Sequence, residues 1–174
     1  MSPQLFAAET YEVVVGDMVL ELGPVPPNEA ERLGNAFAAI DPWATYAYPA
    51  SALASYLAGD EADGTRFLVR ADGDVAGAVG LQANWLRGPY IRFLGILPGF
   101  QGRGIGSGLL TWIEAQTRAA NARNLWVVAS QINVGAIRFY ERHGFAQAAE
   151  FDGLAYDDRV EILMRKRLVA AGQA

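Results

Sequence analysis

The stretch Gln101-Gly102-Arg103-Gly104-Ile105-Gly106-Ser107-Gly108 has the make-up of an anion-binding turn. It follows the apolar run Ile91–Ile96 and opens an amphipathic pattern. A helix that starts at such a turn aims unpaired N–H groups and the positive end of its dipole at one point. Glycines let the main chain approach a phosphate closely. Arg103 adds a fixed positive charge. Two other phosphate loops do not fit. A Walker loop ends in Gly-Lys-Ser/Thr, and no lysine follows Gly106. A dinucleotide fingerprint sits in the first βα turn, with an acid about twenty residues on. Here the turn lies past mid-chain, and Leu109 stands where the third glycine belongs. A nucleotide-dependent oxidoreductase is set aside on the same grounds.

A second constellation lies downstream. Asn133, Ala136, Ile137 and Tyr140 recur at helical spacing and share one face. The small residue at 136 leaves room for a thin ligand chain, and Tyr140 presents a phenol beside it.

Two patterns result. One is Gln101-x-x-Gly104-x-Gly106, preceded by Leu97-Pro98-Gly99-Phe100. The other is Asn133-x-x-Ala136-x-x-Phe139-Tyr140-x-x-x-Gly144-Phe145. Together they resemble the acetyl-CoA motifs of the GNAT superfamily of acyl-CoA N-acyltransferases. The resemblance spans Met18 to Lys166, with its specific content in Ile91–Phe145. It implies an α/β fold: a mixed central sheet of about six or seven strands and about four helices. CoA would lie in the gap between the strands at Ile91–Ile96 and Leu125–Ala129. The resemblance implies acetyl-CoA as co-substrate, its pyrophosphate held by Gln101, Gly102, Arg103, Gly104, Ile105, Gly106 and Ser107. Backbone groups of Leu94, Gly95 and Ile96 would meet the pantetheine and polarise the acetyl carbonyl. Asn133, Ala136 and Phe139 would line the CoA, and Tyr140 would protonate the departing thiolate. Asp41-Pro42-Trp43 and the ending Val160–Lys166 also look similar to ribosomal-protein-type N-terminal acetyltransferases.

The sequence departs from the family in one respect. Many relatives carry an acid on a gap strand as general base. Neither Ile91-Arg92-Phe93-Leu94-Gly95-Ile96 nor Leu125-Trp126-Val127-Val128-Ala129-Ser130 contains one. The remaining bases are Asp41, Glu161, or a water held by Ser130 or backbone carbonyls. The missing acid keeps a second reading open, a non-catalytic CoA-binding domain. Trp43, Tyr46, Tyr48, Tyr56, Trp85 and Tyr90 are candidate walls of an acceptor pocket, suited to an apolar or cationic amine. Several of them are expected to serve packing alone. The acceptor would be a primary amine, of a small molecule or of a peptide. His143, the single histidine, reads as a surface residue at a helix C-terminus.

The elements that hold these residues follow from periodicity and punctuation. Tyr11–Val15 and Met18–Leu22 flank Gly16-Asp17, a hairpin signal with glycine first. Its strand edge offers a pairing surface for a second copy, which leaves a homodimer open alongside a monomer. Pro27 suits the first turn of a helix running to about Ile40, with Ala30, Leu33, Phe37 and Ile40 on one face. Trp43–Tyr48 is an aromatic loop, Ala50–Leu57 a short helix and Gly59–Gly64 a turn. Phe67–Arg70 and Val75–Leu81 flank Asp72-Gly73, a second hairpin signal. Ile91–Ile96 is apolar enough to be a central strand. A helix from about Gly104 to Arg123 carries Ile105, Leu109, Trp112, Ile113, Gln116 and Ala120 as its stripe. Leu125–Ala129 is a buried strand. Asn133 caps a helix through Arg142 that Gly144 closes. Phe145–Phe151 and Val160–Arg165 are the last strands.

Composition bounds the rest. With 174 residues, 52% apolar and 19% charged, one globular domain over the whole chain is expected. The absence of cysteine excludes disulfides, zinc-thiolate sites and a thioester on the enzyme. A net charge of -5, from 14 basic and 19 acidic residues, argues against nucleic-acid binding. No apolar run is long enough to span a membrane. Met1–Thr10 lacks the features of a secretory signal, so the cytoplasm is the expected compartment.

Overall fold

The structure is a computed structural model that describes residues 5–59 and 64–168. Residues 60–63 of the expected Gly59–Gly64 turn, and the first four of the Met1–Thr10 segment, lie outside the described residues. The elements in chain order are β1 (Tyr11–Val15), β2 (Met18–Gly23), α1 (Pro27–Ala38), α2 (Ala50–Ala58), β3 (Thr65–Ala71), β4 (Asp74–Trp85) and β5 (Gly88–Ile96). They continue with α3 (Ile105–Ala119), β6 (Asn124–Ser130), α4 (Val134–Arg142), β7 (Ala146–Asp152) and β8 (Val160–Arg167).

All the strands join one 8-stranded sheet in the order β1-β2-β3-β4-β5-β6-β8-β7. That is one strand more than the upper expectation, because both arms of the first hairpin pair into the sheet. Every neighbouring pair is antiparallel except β5 and β6. The turns between the first strands follow from their residues. Gly16 has φ 60°, and Asp72 and Gly73 have φ 53° and 85°, the positive values that tight hairpins need. The β4–β5 turn is different: Leu86 and Arg87 adopt φ 41° and 64° without glycine. Side chains of β6 hold this turn. The Trp126 indole N–H donates to Leu86 O at 3.2 Å, and the Asn124 amide reaches the Leu86 and Arg87 carbonyls at 3.4 Å each.

The sheet is buried on both faces. Ala30, Leu33 and Phe37 of α1 and Leu53 and Leu57 of α2 pack with Leu68, Ala78 and Phe93 on one side. Ile105, Leu109 and Ile113 of α3 and Tyr140 of α4 pack with Val69, Val79, Ile91 and Val127 on the other. This is a three-layer α/β arrangement. Two helices end earlier than the periodicity suggested. α1 stops at Ala38 because Ala39 and Ile40 bond back three residues, to Ala36 O and Phe37 O, tightening the last turn. α3 stops at Ala119 because Asn121 turns left-handed at φ 56°. The Asn121 and Ala122 N–H groups then bond Arg118 O and Thr117 O, closing a Schellman motif. Gly144, at φ 85°, closes α4 by the same pair of bonds, to Glu141 O and Tyr140 O. Among the described residues no helix is long and apolar enough to cross a membrane.

Candidate active site

The site begins where two strands part. β5 and β6 pair in parallel at Tyr90↔Trp126 and Ile91↔Val127 only. Beyond that point β5 continues to Ile96 and β6 to Ser130. The free edge of β5 therefore faces an opening. The Leu97 N–H bonds Ala76 O at 2.8 Å, and Ala78 stands opposite Gly95. Antiparallel alternation then turns the backbone groups of Gly95 and Leu97 toward β4, and those of Leu94 and Ile96 toward the gap. Gln101 already uses one of these groups: its side-chain amide donates to Ile96 O at 2.9 Å. Gly95 has a separate reason to be glycine. A Cβ there would stand 2.7 Å from the Phe37 ring, on the α1 side.

A cavity of about 340 Å³ occupies the gap. Of the residues singled out in sequence, Leu94, Gly95, Ile96, Gln101, Asn133, Ala136 and Tyr140 line it. Gly102, Arg103, Gly104, Ile105, Gly106, Ser107 and Phe139 stand outside that lining; Gly106 and Ser107 meet Phe139 and His143 of α4, while Arg103 and Gly104 lie against Asp72 and Val15. Gly102 and Gly104 take φ 74° and 82°, which fold the loop sharply into α3. The first helical bond runs from Gly108 N to Gly104 O at 2.9 Å, so the N–H groups before Gly108 have no helical partner. No side chain caps this N-terminus and its first turn holds no acid. Ile105 is buried in the core, so only its backbone is available to a ligand. Gly106 lets the Phe139 ring pack close, a Cβ there lying 3.2 Å from it, and Gly108 lets Val15 of β1 cross the helix. Arg103 is exposed and pairs with Asp72 at 3.1 Å.

α4 brings its own residues to the gap. Asn133 Oδ1 accepts the Ala136 N–H at 3.1 Å, so its side chain is also the helix cap. Tyr140 is buried, wedged between Phe139 and Phe145 with ring centroids 5.3 and 5.4 Å away. Burial, with Tyr90 nearby, holds its hydroxyl well above the ordinary phenol value, so it remains protonated. His143 is half-buried, and both of its ring nitrogens have partners. Its Nδ1 donates to Phe139 O at 2.7 Å, and its Nε2 meets Ser107 Oγ at 2.9 Å.

The other end of the cavity is aromatic. Trp43, Tyr46 and Tyr48 line it, as does Tyr156 from the β7–β8 loop, which sequence reasoning did not single out. Tyr156 stacks on Tyr46 at 5.2 Å and 17°, and its hydroxyl donates to Tyr46 O at 3.3 Å. Nothing in its local sequence marks it except an aromatic ring in a polar loop. Tyr56 instead lines a neighbouring depression with Trp43 and Tyr48. Trp85 and Tyr90 do not line the cavity; Trp85 packs on Tyr90 and Trp126, with centroids 5.0 and 5.5 Å away.

Two acids line the cavity, Asp41 and Glu161. Asp41 is exposed and its Oδ1 accepts both the N–H and the hydroxyl of Thr45, at 3.1 and 2.5 Å. Glu161 is buried, on β8 opposite Ser130 of β6. The Tyr46 hydroxyl donates to Glu161 Oε1 at 3.4 Å. Burial, then the Glu161 charge, push the Tyr46 hydroxyl up to about 12. Burial raises Glu161 above the usual carboxylate range, against the pull of the Tyr46 and Ser130 hydroxyls. The Ser130 hydroxyl stands beside Glu161 but makes no aligned hydrogen bond.

A splayed parallel strand pair, an uncapped glycine-rich helix start and a buried tyrosine are thus the elements of the candidate site. The sequence model of the acetyltransferase (GNAT) family matches residues 30–145, and the chain belongs to that family. The chain is similar to the streptothricin acetyltransferase of Streptomyces lavendulae, 38% identical over 91 residues. That match covers 51% of this chain and 48% of the relative, about half the length of each. In three dimensions it is similar to a candidate GNAT-family acetyltransferase from Desulfovibrio desulfuricans, with a TM-score of 0.69 and 20% identity over 87% of this chain and 99% of the other. It is also similar to a candidate streptothricin acetyltransferase from Bacillus anthracis, solved in complex with acetyl coenzyme A. There the TM-score is 0.56 and the identity 21%, over 63% of this chain and 65% of the other.

Proposed function

We propose that the protein transfers an acetyl group from acetyl-CoA to a primary amine of a small acceptor. The observation that carries this reading is the parting of β5 and β6 beside a buried, protonated Tyr140. The streptothricin acetyltransferase likeness supports a small-molecule acceptor.

In this reading the free N–H groups at the start of α3 hold the pyrophosphate, with Arg103 beside them. The gap-facing N–H groups of Leu94 and Ile96 meet the thioester carbonyl and stabilise the oxyanion of the tetrahedral intermediate. Ile96 O is satisfied by Gln101, so the Leu94 carbonyl is the acceptor left on that edge for a ligand amide. Tyr140 donates its proton to the sulfur as the C–S bond breaks. Without cysteine the chain cannot carry the acetyl group on a thiol, and the amine attacks directly.

The test is calorimetric titration with acetyl-CoA, with NADH and ATP as controls, followed by thiol release in the presence of streptothricin and other primary amines. Selective acetyl-CoA binding and amine-dependent thiol release are expected. Folded protein that binds no acetyl-CoA would overturn the reading.

A further inference from the structure

The scheme above leaves one proton without a destination. An amine attacks only after it loses its proton, and neither gap strand supplies an acid. β8 supplies one. Glu161 is 8% exposed, lines the cavity, and lies beside Tyr46 at the aromatic end. Its hydrogen-bond partner is the Tyr46 hydroxyl, a long contact at 3.4 Å. Among the described residues no lysine, arginine or histidine forms an ion pair with it. A buried carboxylate is unfavourable unless a cation or several hydrogen bonds meet it. Asp41, the other acid of the cavity, differs on both counts: it is exposed, and Thr45 satisfies it twice.

The surroundings of Glu161 point to the missing partner. Tyr46 and Tyr156 stack on each other beside it, Arg159 stands over the Tyr46 ring, and Trp43, stacked on Phe93, lines the same end, so the carboxylate itself is the group left to meet an acceptor's cation. We infer that Glu161 binds the protonated primary amine of the acceptor and acts as its general base. This rests on the acetyl-transfer reading and adds the acceptor's charge and the base to it.

The step balances. The ammonium N–H bond breaks and its proton passes to the Glu161 carboxylate. The freed nitrogen lone pair forms the C–N bond, and the C–S bond pair stays on sulfur. Sulfur takes the Tyr140 proton. The second amine proton, lost as the intermediate collapses, restores Tyr140 through solvent, and Glu161 releases its own proton to water. Burial lifts Glu161 toward the range where a carboxylate accepts a proton from an ammonium more readily. The titratable and charged groups that line the cavity with it are Asp41, Tyr46 and Tyr48 from the α1–α2 loop, Arg92 from β5, Tyr140 from α4 and Tyr156 from the β7–β8 loop. Tyr90, its hydroxyl raised by burial, lies near enough for the Glu161 charge to raise it further. Arg159 stands over the Tyr46 ring, 5.2 Å from its centroid.

The test is Glu161→Gln, which keeps the shape and the oxygen that accepts from Tyr46. Wild type and variant are compared for acetyl-CoA affinity and for kcat/KM across pH 6–9, with streptothricin and spermidine as cationic amines. Hydroxylamine, uncharged at pH 8, is the control nucleophile. The variant should bind acetyl-CoA as wild type does and acetylate hydroxylamine at a comparable rate. With the cationic amines it should lose about 100-fold or more in kcat/KM, and the loss should shrink as pH rises and the free amine becomes more abundant. Undiminished rates in the variant with a cationic amine that wild type uses would overturn the Glu161 assignment alone. A wild type that binds acetyl-CoA but uses neither amine, while acetylating hydroxylamine, would overturn the cationic-acceptor inference. No turnover by wild type with any nucleophile would overturn the acetyl-transfer reading itself.

Discussion

His143 Nε2 lies 2.9 Å from Ser107 Oγ, and the contact ties the last turn of α4 to the first turn of α3. A carbonyl can only accept, so the bond to Phe139 O fixes a proton on Nδ1 and leaves Nε2 to Ser107. The Phe139 ring packs against Gly106 and against the His143 ring, 4.6 Å centroid to centroid. The start of α3 is thus anchored from α4. Ser107→Ala should lower stability by about 1 kcal/mol, the net worth of one hydrogen bond. It should weaken acetyl-CoA binding roughly threefold, about 0.7 kcal/mol, by loosening that turn. Urea denaturation with an unchanged slope, and titration calorimetry, check the two effects.

Arg103 is paired with Asp72 at 3.1 Å on the surface, 41% and 62% exposed respectively. In the proposed reading the same cation meets the pyrophosphate, so the two contacts compete. Removing the acid should free it. Asp72→Asn should tighten acetyl-CoA binding at low salt by roughly two- to fivefold, in line with the modest worth of exposed ion pairs. The gain should fade at 1 M salt, where screening acts over about 3 Å. Arg103→Glu should weaken binding under the same low-salt conditions. Equal affinity in all three proteins would put the pyrophosphate elsewhere.

Tyr140 keeps its ring packing when only the hydroxyl is removed, because Phe139 and Phe145 contact the ring itself. Tyr140→Phe should therefore fold as wild type and bind acetyl-CoA with unchanged affinity. Turnover should fall by about 10²–10⁴, the range for a lost general acid. Burial raises the Tyr140 hydroxyl above the ordinary 10.0, so the acid stays protonated through the alkaline range. The wild-type rate should show no fall from loss of this proton up to pH 10. An alkaline limb below that value, abolished in the variant, would contradict the environment described for Tyr140.

The order of elements was legible because punctuation and periodicity agreed along most of the chain. Gly16 and Asp72-Gly73 announce their turns, since only such residues take positive φ readily. Gly144 announces the end of α4 for the same reason. Asn121 ends α3 by the same geometry, but an asparagine after alanines does not stand out, and the apolar stripe runs on past it. The Leu86-Arg87 turn was illegible: its conformation is imposed by Trp126 and Asn124, about forty residues away in sequence. The site divides in the same way. The glycine-rich turn and the α4 face are contiguous in sequence and could be read. Gly95 lines the cavity, and the Phe37 ring on its other side, which only the fold brings there, gives a second reason for glycine. His143 and Glu161 gain their surroundings from Ser107 and from the β6–β8 register, which only tertiary structure brings together.

Glu161 also makes a prediction about stability that needs no substrate. Its folded pKa is raised above the ordinary 4.5, mainly by burial. A raised folded pKa means that folding favours the protonated form. The stabilising contribution is present below the unfolded value and is lost as pH rises through the folded one. Above that window the ionised carboxylate opposes folding, while glutamine in its place does not. Glu161→Gln should therefore raise Tm at pH 8, and the two melting curves should converge as the pH falls below about 4.5. Buried groups that work are often held at the expense of stability, and the removal of one is commonly stabilising. A variant less stable than wild type at pH 8, with the gap closing in acid, would mean that Glu161 is a satisfied structural charge. A pH-independent difference would mean that the carboxylate does not titrate differently in the folded chain.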